Sequence, residues 1–256
     1  MSAVAIALED EVAVLTMSAP EKRNALSRRL LGDLRDALLE AVARDARAVV
    51  LTGTDASFSA GADLDELTGT GADVAIDVAT GEATRALQSC PLPVVAAIEG
   101  ACVGAAVDLA LSCDVRVVAA DGYFAVPAVA LGILYNPAAL ERMAGRVRYE
   151  TLARLLLLGE RIGGEEAVVA GLACRAVPSG AALTESLALA RRAARGVSEA
   201  GAATKAVLTA LAAGRFDPAD WEEARHALLD SDARAERVRA AQDRLRPVPE
   251  NGGQPA

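Results

Sequence analysis

The chain has 256 residues, of which 53% are hydrophobic, and its 35 acidic and 26 basic side chains give a net charge of −9. This composition predicts a large folded domain with a sizeable core and excludes disorder for most of the chain. The negative charge argues against a nucleic-acid surface and a basic membrane patch. No apolar run reaches the roughly 18–20 residues that span a bilayer, and the first ten residues lack the basic start of a signal peptide, so we expect a cytoplasmic protein.

The cysteines and the single histidine argue against several kinds of site. Cys90, Cys102, Cys113 and Cys174 form no C-x-x-C pair, and no cluster of histidine and cysteine occurs. We therefore expect reduced thiols and no metal site. His226 is the one histidine, which makes Ser-His-Asp or Cys-His chemistry a poor interpretation.

The N-terminal half alternates predicted strands with predicted helices. Apolar and polar residues alternate over residues 4–15, which predicts a hairpin, and helical spacing predicts a helix over 27–44 with Ser27 as its N-cap. The further predicted elements are a strand over 48–52, a helix over 80–90, a strand over 94–98, a helix over 104–113 and a strand over 115–119. Such alternation is typical of βαβ units and a mainly parallel sheet.

Beyond Pro137 the pattern is almost entirely helical. The predicted segments lie near 138–146, 149–158, 164–170, 181–196, 199–213 and 217–245. The last residues, 247–256, are rich in proline and glycine and predict a loose tail.

Two loops of small residues stand out as candidates for chemistry. One is the Ser-Ala-Gly-Ala-Asp-Leu run over 59–64, and the other runs over 100–108 into a predicted helix. Small side chains let a ligand approach the backbone, and a helix start has unpaired N–H groups in a dipole that favours negative charge. Two such loops facing one cleft would form an oxyanion hole. The alternative is two tight turns that pack a helix on a sheet.

Together with Pro-Glu-Lys-Arg-Asn-Ala-Leu over 20–26, these loops resemble the enoyl-CoA hydratase/isomerase (crotonase) superfamily. The resemblance runs from about residue 4 to about residue 246. It implies an α/β fold, a crotonase-like spiral of ββα units with a C-terminal helical trimerisation region. We therefore expect a spiral core over 1–195, a helical oligomerisation region over 196–246 and a tail over 247–256. It also implies a homotrimer or a dimer of trimers.

The resemblance implies an acyl-CoA thioester substrate and no cofactor beyond the coenzyme A of that substrate. By motif position, the two oxyanion N–H groups fall on Ala62 and Ala105. The residues assigned to coenzyme A are Lys22 and Arg23 for the phosphates, the backbone of Ala60, Asp63 and Leu64 for the adenine, and Arg244 for the coenzyme A of a neighbouring subunit.

The chain departs from the family where hydratases carry two glutamates. Asp108 stands at the first position, but Ala128 stands at the second and has no proton to give. Asn136 stands where dienoyl isomerases and dehalogenases of the family carry a carboxylate, and Tyr135 precedes it. We take Asp108 and Tyr135 as catalytic candidates, and Ala128 and Asn136 as pocket residues.

Three functions remain open. The leading hypothesis is an acyl-CoA enzyme that stabilises a thioester enolate, with Asp108 as the one carboxylate for proton transfer. Double-bond isomerisation needs one shuttling base and fits better than hydration, because a missing general acid typically costs about 10²–10⁴ in rate. The alternatives are a malonyl-type acyl-CoA decarboxylase, with Tyr135 and Asn136 orienting the carboxylate, and a non-catalytic acyl-CoA binding protein.

Overall fold

The computed structural model describes residues 3–245. Strands and helices alternate through the first half of the chain, as predicted. The strands are β1 (Ala3–Glu9), β2 (Val12–Ser18), β3 (Ala48–Gly53), β4 (Val94–Ile98), β5 (Ala101–Val103), β6 (Val115–Ala119), β7 (Tyr123–Ala125), β8 (Ile162–Gly163) and β9 (Arg175–Val177).

The helices of the described residues fall mainly in the second half of the chain. They are α1 (Arg28–Ala43), α2 (Val74–Ser89), α3 (Ala105–Ser112), α4 (Pro137–Ala144), α5 (Tyr149–Leu156), α6 (Gly164–Val169), α7 (Ala182–Ala194), α8 (Ser198–Ala212), α9 (Glu222–Leu229) and α10 (Asp232–Leu245). Within residues 3–245, no helix is long and apolar enough to cross a membrane.

The strands form two sheets. The larger has the order β1-β2-β3-β4-β6-β9, in which β1 and β2 form the predicted antiparallel hairpin and every other pair is parallel. The smaller has the order β5-β7-β8. The α/β fold of the prediction is confirmed, with its mainly parallel sheet and helical C-terminal region.

The core lies on both faces of the larger sheet. Successive residues of β3 point to opposite faces, as a strand requires. Val49 and Leu51 pack into a large cluster with the apolar face of α1, whereas Ala48 and Val50 pack with α7. Because both faces are covered by helices, these strands are continuous apolar runs without a polar face.

Several predicted elements have the bounds that the sequence indicates. β4 and β6 match residue for residue, and the Ser27 hydroxyl accepts a hydrogen bond from the Leu30 N–H (3.1 Å) at the start of α1. α2 begins at Val74, six residues before the predicted start at Thr80.

The prediction beyond Pro137 is wrong in two places. The short strands β8 and β9 interrupt the helices, and the predicted helix over 217–245 is divided into α9 and α10. β5 and β7 also lie in segments where the sequence predicts no strand. Each of these four strands has only two or three residues, which is too short to show a period of two.

The chain divides into two compact units, one over 1–216 and one that begins at Asp217. α8 belongs to the first unit, and the predicted division after residue 195 stays a prediction. The oligomerisation role of residues 196–246 stays a prediction, and the predicted tail over 247–256 lies outside the described residues.

Lys205 joins three elements of the first unit. Its buried ammonium on α8 donates to the carbonyl oxygens of Leu87 and Leu92 (both 2.9 Å) and pairs with the Asp114 carboxylate (3.0 Å). Asp114 in turn accepts a hydrogen bond from the Val94 N–H at the start of β4 (2.7 Å). One ammonium group therefore ties α8 to the end of α2 and to the residues at the starts of β4 and β6.

We expect Lys205→Met to lower the free energy of unfolding by about 3 kcal/mol, the lower end of the cost of breaking a buried ion pair. The substitution leaves two carbonyl groups and one carboxylate without their donor. Urea unfolding measures the loss. The control is Arg44→Met, which removes an exposed pair with Glu40 at the end of α1 and should cost about 0–1 kcal/mol. Equal losses in the two variants would contradict the role of Lys205.

Candidate active site

In the first small-residue loop, over 59–64, the N–H of Ala62 points away from Leu26, the residue with which Ala62 pairs. Ala62 forms an isolated parallel bridge with Leu26. In this bridge the Leu26 N–H donates to the Gly61 carbonyl (2.7 Å), and the Asp63 N–H donates to the Leu26 carbonyl (3.1 Å). The bridge uses the amides that flank Ala62, so its own N–H points to the opposite side.

The second loop ends in the first turn of α3. Gly104 precedes the helix with φ 56° and ψ −122°, and Ala105 is its first residue. The N–H of a first helical residue has no partner within the helix. Among the backbone hydrogen bonds of the described residues, none is donated by Ala62 or by Ala105.

The two loops touch each other. Ser59 bridges Cys102, with its N–H donating to the Ala101 carbonyl (2.9 Å) and its carbonyl accepting from the Val103 N–H (3.1 Å). Gly61 has φ 92°, and a Cβ added to it would lie 2.6 Å from the Val103 carbonyl oxygen and 3.6 Å from the Ala105 nitrogen. The fold therefore brings the segments that carry both predicted oxyanion residues into contact. That the two N–H groups bind one oxygen stays a prediction.

Asp108 lies one helical turn beyond Ala105 and is paired with an arginine. Its side chain is 1% exposed, and the Arg142 guanidinium binds both of its oxygens, Nε to Oδ1 at 3.2 Å and Nη2 to Oδ2 at 2.6 Å. A carboxylate offers about four lone-pair positions, so two remain after this bidentate contact. Asp108 is thus an acceptor whose orientation is set by Arg142, and its role as a base stays a prediction.

Two opposing effects act on the pKa of Asp108. Burial raises the pKa above its ordinary value, while the hydrogen bonds and charge of Arg142 lower it, and burial is the larger effect. A carboxylate with a raised pKa is a stronger base than an exposed one.

Tyr135 is directed at the oxyanion loop. Its hydroxyl donates a hydrogen bond to the Gly104 carbonyl (3.1 Å). Burial, followed by the nearby charge of Asp108, raises its pKa well above the ordinary value, so the phenol keeps its proton. The phenol therefore serves as a hydrogen-bond donor here, and the catalytic role of Tyr135 stays a prediction.

Asn136 and Ala128 complete the predicted pocket residues. Asn136 is the N-cap of α4, accepting from the N–H groups of Ala138 (2.9 Å) and Ala139 (3.4 Å). α4 carries Arg142, so this cap helps to hold the partner of Asp108. Ala128 is 7% exposed and leaves the second carboxylate position without a titratable group.

Asp77 on α2 is a candidate site residue that the sequence does not indicate. Partial burial raises the pKa of Asp77, and the nearby Asn136 side chain lowers it by less. Its charge also raises the pKa values of Asp108 and Tyr135, which places it near both.

The predicted coenzyme A residues surround the first loop. Lys22 contacts three carboxylate oxygens, two of Asp63 (2.9 and 2.7 Å) and one of Asp65 (2.8 Å). An ammonium has three donors, so Lys22 is fully committed to this loop, and these bonds raise its pKa. Arg23 is exposed beside it, and its carbonyl accepts from the Ala60 N–H (3.0 Å).

The remaining predicted residues are placed as follows. The Asp63 N–H is committed to Leu26, and Leu64 is exposed. Arg244 lies exposed in the last turn of α10, in the second unit. Among residues 3–245, no group of three or more histidine, cysteine, aspartate or glutamate side chains could hold a metal ion.

Asn24 ties the 20–26 segment to the residues that follow β3. It is fully buried, and its Oδ1 accepts from the Ala19 N–H (3.0 Å) and the Thr54 hydroxyl (2.9 Å). Its Nδ2 donates to the carbonyls of Thr54 (2.8 Å) and Ser57 (2.7 Å). All four hydrogen-bonding positions of the amide are thus used, so the asparagine of the 20–26 motif is structural.

The fold and these motifs match one family. Residues 7–236 match the family model described as enoyl-CoA hydratase/isomerase. A Mycobacterium tuberculosis protein described as a probable enoyl-CoA hydratase is 35% identical over 67% of this chain and 70% of its own length. The 2,3-dehydroadipyl-CoA hydratase of Escherichia coli is 34% identical over 76% of this chain and 77% of its own.

Solved structures agree with the sequence matches. The structure of an enoyl-CoA hydratase/carnithine racemase from Magnetospirillum magneticum superposes with a TM-score of 0.87 at 29% identity, covering 97% of this chain and 95% of that one. An enoyl-CoA hydratase from Polaromonas sp. JS666 superposes with a TM-score of 0.85 at 27% identity, covering 96% and 99%.

Proposed function

Because the chain belongs to the enoyl-CoA hydratase/isomerase family, we propose that it binds an acyl-CoA thioester and moves its double bond through an enolate. The N–H groups of Ala62 and Ala105 bind the thioester oxygen, and Asp108 carries the proton. The contact between the two loops at Gly61 supports this proposal, because it joins the two segments whose Ala62 and Ala105 N–H groups have no backbone acceptor. Such donors, aimed at a developing oxyanion, commonly make the greatest single contribution to acyl-group catalysis.

The isomerisation needs only groups that this chain has. The Asp108 carboxylate removes a proton from the carbon next to the thioester of a 3-enoyl-CoA, and the electron pair moves onto the thioester oxygen. The same carboxyl group returns the proton at the far end of the former double bond, which leaves the conjugated 2-enoyl-CoA. No second acid takes part, which agrees with the alanine at position 128.

Coenzyme A would lie along the first loop. Arg23 is exposed beside Lys22 and is a better phosphate ligand than Lys22, because the donors of Lys22 are taken by Asp63 and Asp65. The N–H groups of Ala60 and Asp63 are also taken, so adenine would meet the backbone carbonyl of Ala60 and the edge of Leu64. A trimer or dimer of trimers, the part of Arg244, the absence of a further cofactor and a cytoplasmic location stay predictions.

The test follows the carbon next to the thioester. The enzyme is incubated in D₂O with 3-hexenoyl-CoA, and separately with crotonyl-CoA. We expect the absorbance of a conjugated enoyl thioester to appear with the first substrate, and mass spectrometry should find deuterium in the fraction of product formed after the Asp108 carboxyl group has exchanged its proton with D₂O. Crotonyl-CoA should gain one water only slowly. Release of CO₂ from malonyl-CoA in the absence of isomerisation would favour the decarboxylase instead.

A non-catalytic acyl-CoA binding protein is the second candidate, and one observation favours it. Arg142 engages both oxygens of Asp108, an arrangement that also suits a purely structural ion pair. The same D₂O experiment separates the two functions, because exchange of the proton next to the thioester reports enolate formation even without net reaction. Binding of the acyl-CoA with neither isomerisation nor deuterium uptake would establish the binding role and contradict the enzyme.

A further inference from the structure

We propose that Tyr135 is a positioning residue of the oxyanion hole, which sets the orientation and donor strength of the Ala105 N–H through the Gly104 carbonyl. The inference rests on the function proposed above. The Gly104 carbonyl and the Ala105 N–H belong to the same peptide group, and the Tyr135 hydroxyl donates to that carbonyl at 3.1 Å. Tyr135 thus acts on the hole without touching the thioester.

Two donors fix the plane of this peptide group. The Val107 N–H donates to the Gly104 carbonyl from inside the first turn of α3 (3.0 Å), and the Tyr135 hydroxyl donates from the loop before α4. Both lone pairs of the carbonyl oxygen are then occupied. In a trans peptide the N–H points opposite to the carbonyl, so fixing the carbonyl also fixes the direction of the Ala105 N–H.

The peptide needs this support because Gly104 has an unusual backbone conformation. Its φ of 56° with ψ of −122° lies in a region that glycine enters readily but other residues do not. The Gly104 N–H is held by the Ala125 carbonyl (2.8 Å), but without a donor on the far side the next peptide could rotate. The Tyr135 hydroxyl, which belongs to a different segment of the chain, prevents this rotation.

The same hydrogen bond also strengthens the donor. Donation to a peptide carbonyl polarises the whole amide group, so its N–H becomes a better donor, by about 10–30% per bond in a condensed phase. The raised pKa of the phenol keeps its proton in place, so this donor is present throughout the working pH range. Tyr135 therefore affects the negative oxygen of an enolate more than the neutral thioester.

The experiment reads the polarisation of a bound thioester. The probe is 2,4-hexadienoyl-CoA, whose absorption band moves to longer wavelength when its carbonyl is polarised. We expect the bound probe to show a red shift in the wild type. In Tyr135→Phe this red shift should be smaller by about 10–30%, the strengthening that one linked hydrogen bond provides. The matched control is Tyr149→Phe, at a residue that is 79% exposed. The dissociation constant of free coenzyme A should stay within about twofold of the wild-type value in both variants, the usual scatter of substitutions that remove no binding contact.

A second variant guards against a folding defect. 3-Fluorotyrosine at position 135 keeps the ring and makes the hydroxyl a stronger donor, so the red shift should increase. A wild-type red shift that neither variant changes would overturn the role of Tyr135 and leave the oxyanion hole standing. No red shift in the wild type would overturn the hole itself, and with it the function proposed above.

Discussion

Asp108→Asn is expected to lower both isomerisation of 3-hexenoyl-CoA and deuterium exchange by about 10²–10⁴-fold, the usual contribution of a positioned base. The amide has nearly the same shape but cannot take a proton from carbon. Coenzyme A binding should persist, because the residues predicted to bind it lie on the 20–26 segment, the first loop and α10, and not on α3. Single-turnover kinetics and mass spectrometry measure the loss, and calorimetry measures the dissociation constant.

The control must separate lost chemistry from a lost ion pair. Asp108→Asn also weakens the contact with Arg142, and breaking a buried pair typically costs about 3–5 kcal/mol of stability. Arg142→Gln breaks the same pair but keeps the carboxylate. We expect comparable losses of melting temperature in the two variants, with exchange retained only in Arg142→Gln. If both variants exchange at the wild-type rate, Asp108 is not the base.

The pH dependence of kcat/KM provides a second test of the Asp108–Arg142 pair. The base must be ionised, so kcat/KM should be full above the pKa of Asp108 and fall as the pH drops through it. Burial and the charge of Asp77 raise this pKa, whereas Arg142 and Arg146 lower it. Arg142→Gln removes a lowering influence, so the acidic limb of the profile should move to higher pH. A limb that stays in place would mean that another group titrates.

The sequence predicts the long elements of the fold well and the short strands poorly. β4 and β6 are runs of five apolar or mostly apolar residues whose pattern is visible in the chain itself. The strands β5 and β7 exist because they pair with each other, Ala101 opposite Tyr123 and Val103 opposite Ala125. A strand of three residues has no period to recognise, so only the tertiary partner reveals it.

The start of α2 illustrates a different limit of prediction from sequence, and this segment contains a candidate site residue. Residues 74–79 include valine, isoleucine and aspartate, which are weak helix formers, so the sequence predicts a helix only from Thr80. Packing of Ile76 into the core outweighs this local preference. The sequence therefore gives no sign of Asp77 as a site residue, although it lies beside Asn136 and influences Asp108.

The charges around Asp108 show what motif positions leave out. The apolar neighbours of Asp108 predict burial, and a buried carboxylate calls for a partner. The sequence has Arg142, Arg146 and Arg148 within seven residues, and nothing local distinguishes them. The packing of α3 against α4 selects Arg142 for the carboxylate, while Arg146 donates to the Cys113 carbonyl (2.9 Å) at the end of α3.

Gly61→Ala is expected to open the oxyanion hole and lower the isomerisation rate by about 10²–10³-fold, the cost of losing one donor. The new methyl group would lie 2.6 Å from the Val103 carbonyl oxygen, so the two loops must separate. The φ of 92° adds backbone strain for any residue with a Cβ. Because the Ala62 and Ala105 N–H groups then no longer face one oxygen, kcat should fall far more than coenzyme A affinity.

Gly32→Ala is the matched control for this change. Gly32 lies inside α1, where an added Cβ meets nothing within 4 Å, so the same methyl group should raise stability by about 1 kcal/mol through helix propensity. Its isomerisation rate should equal that of the wild type. A folded Gly61→Ala variant with the full rate and the full red shift of bound 2,4-hexadienoyl-CoA would show that the thioester oxygen binds elsewhere.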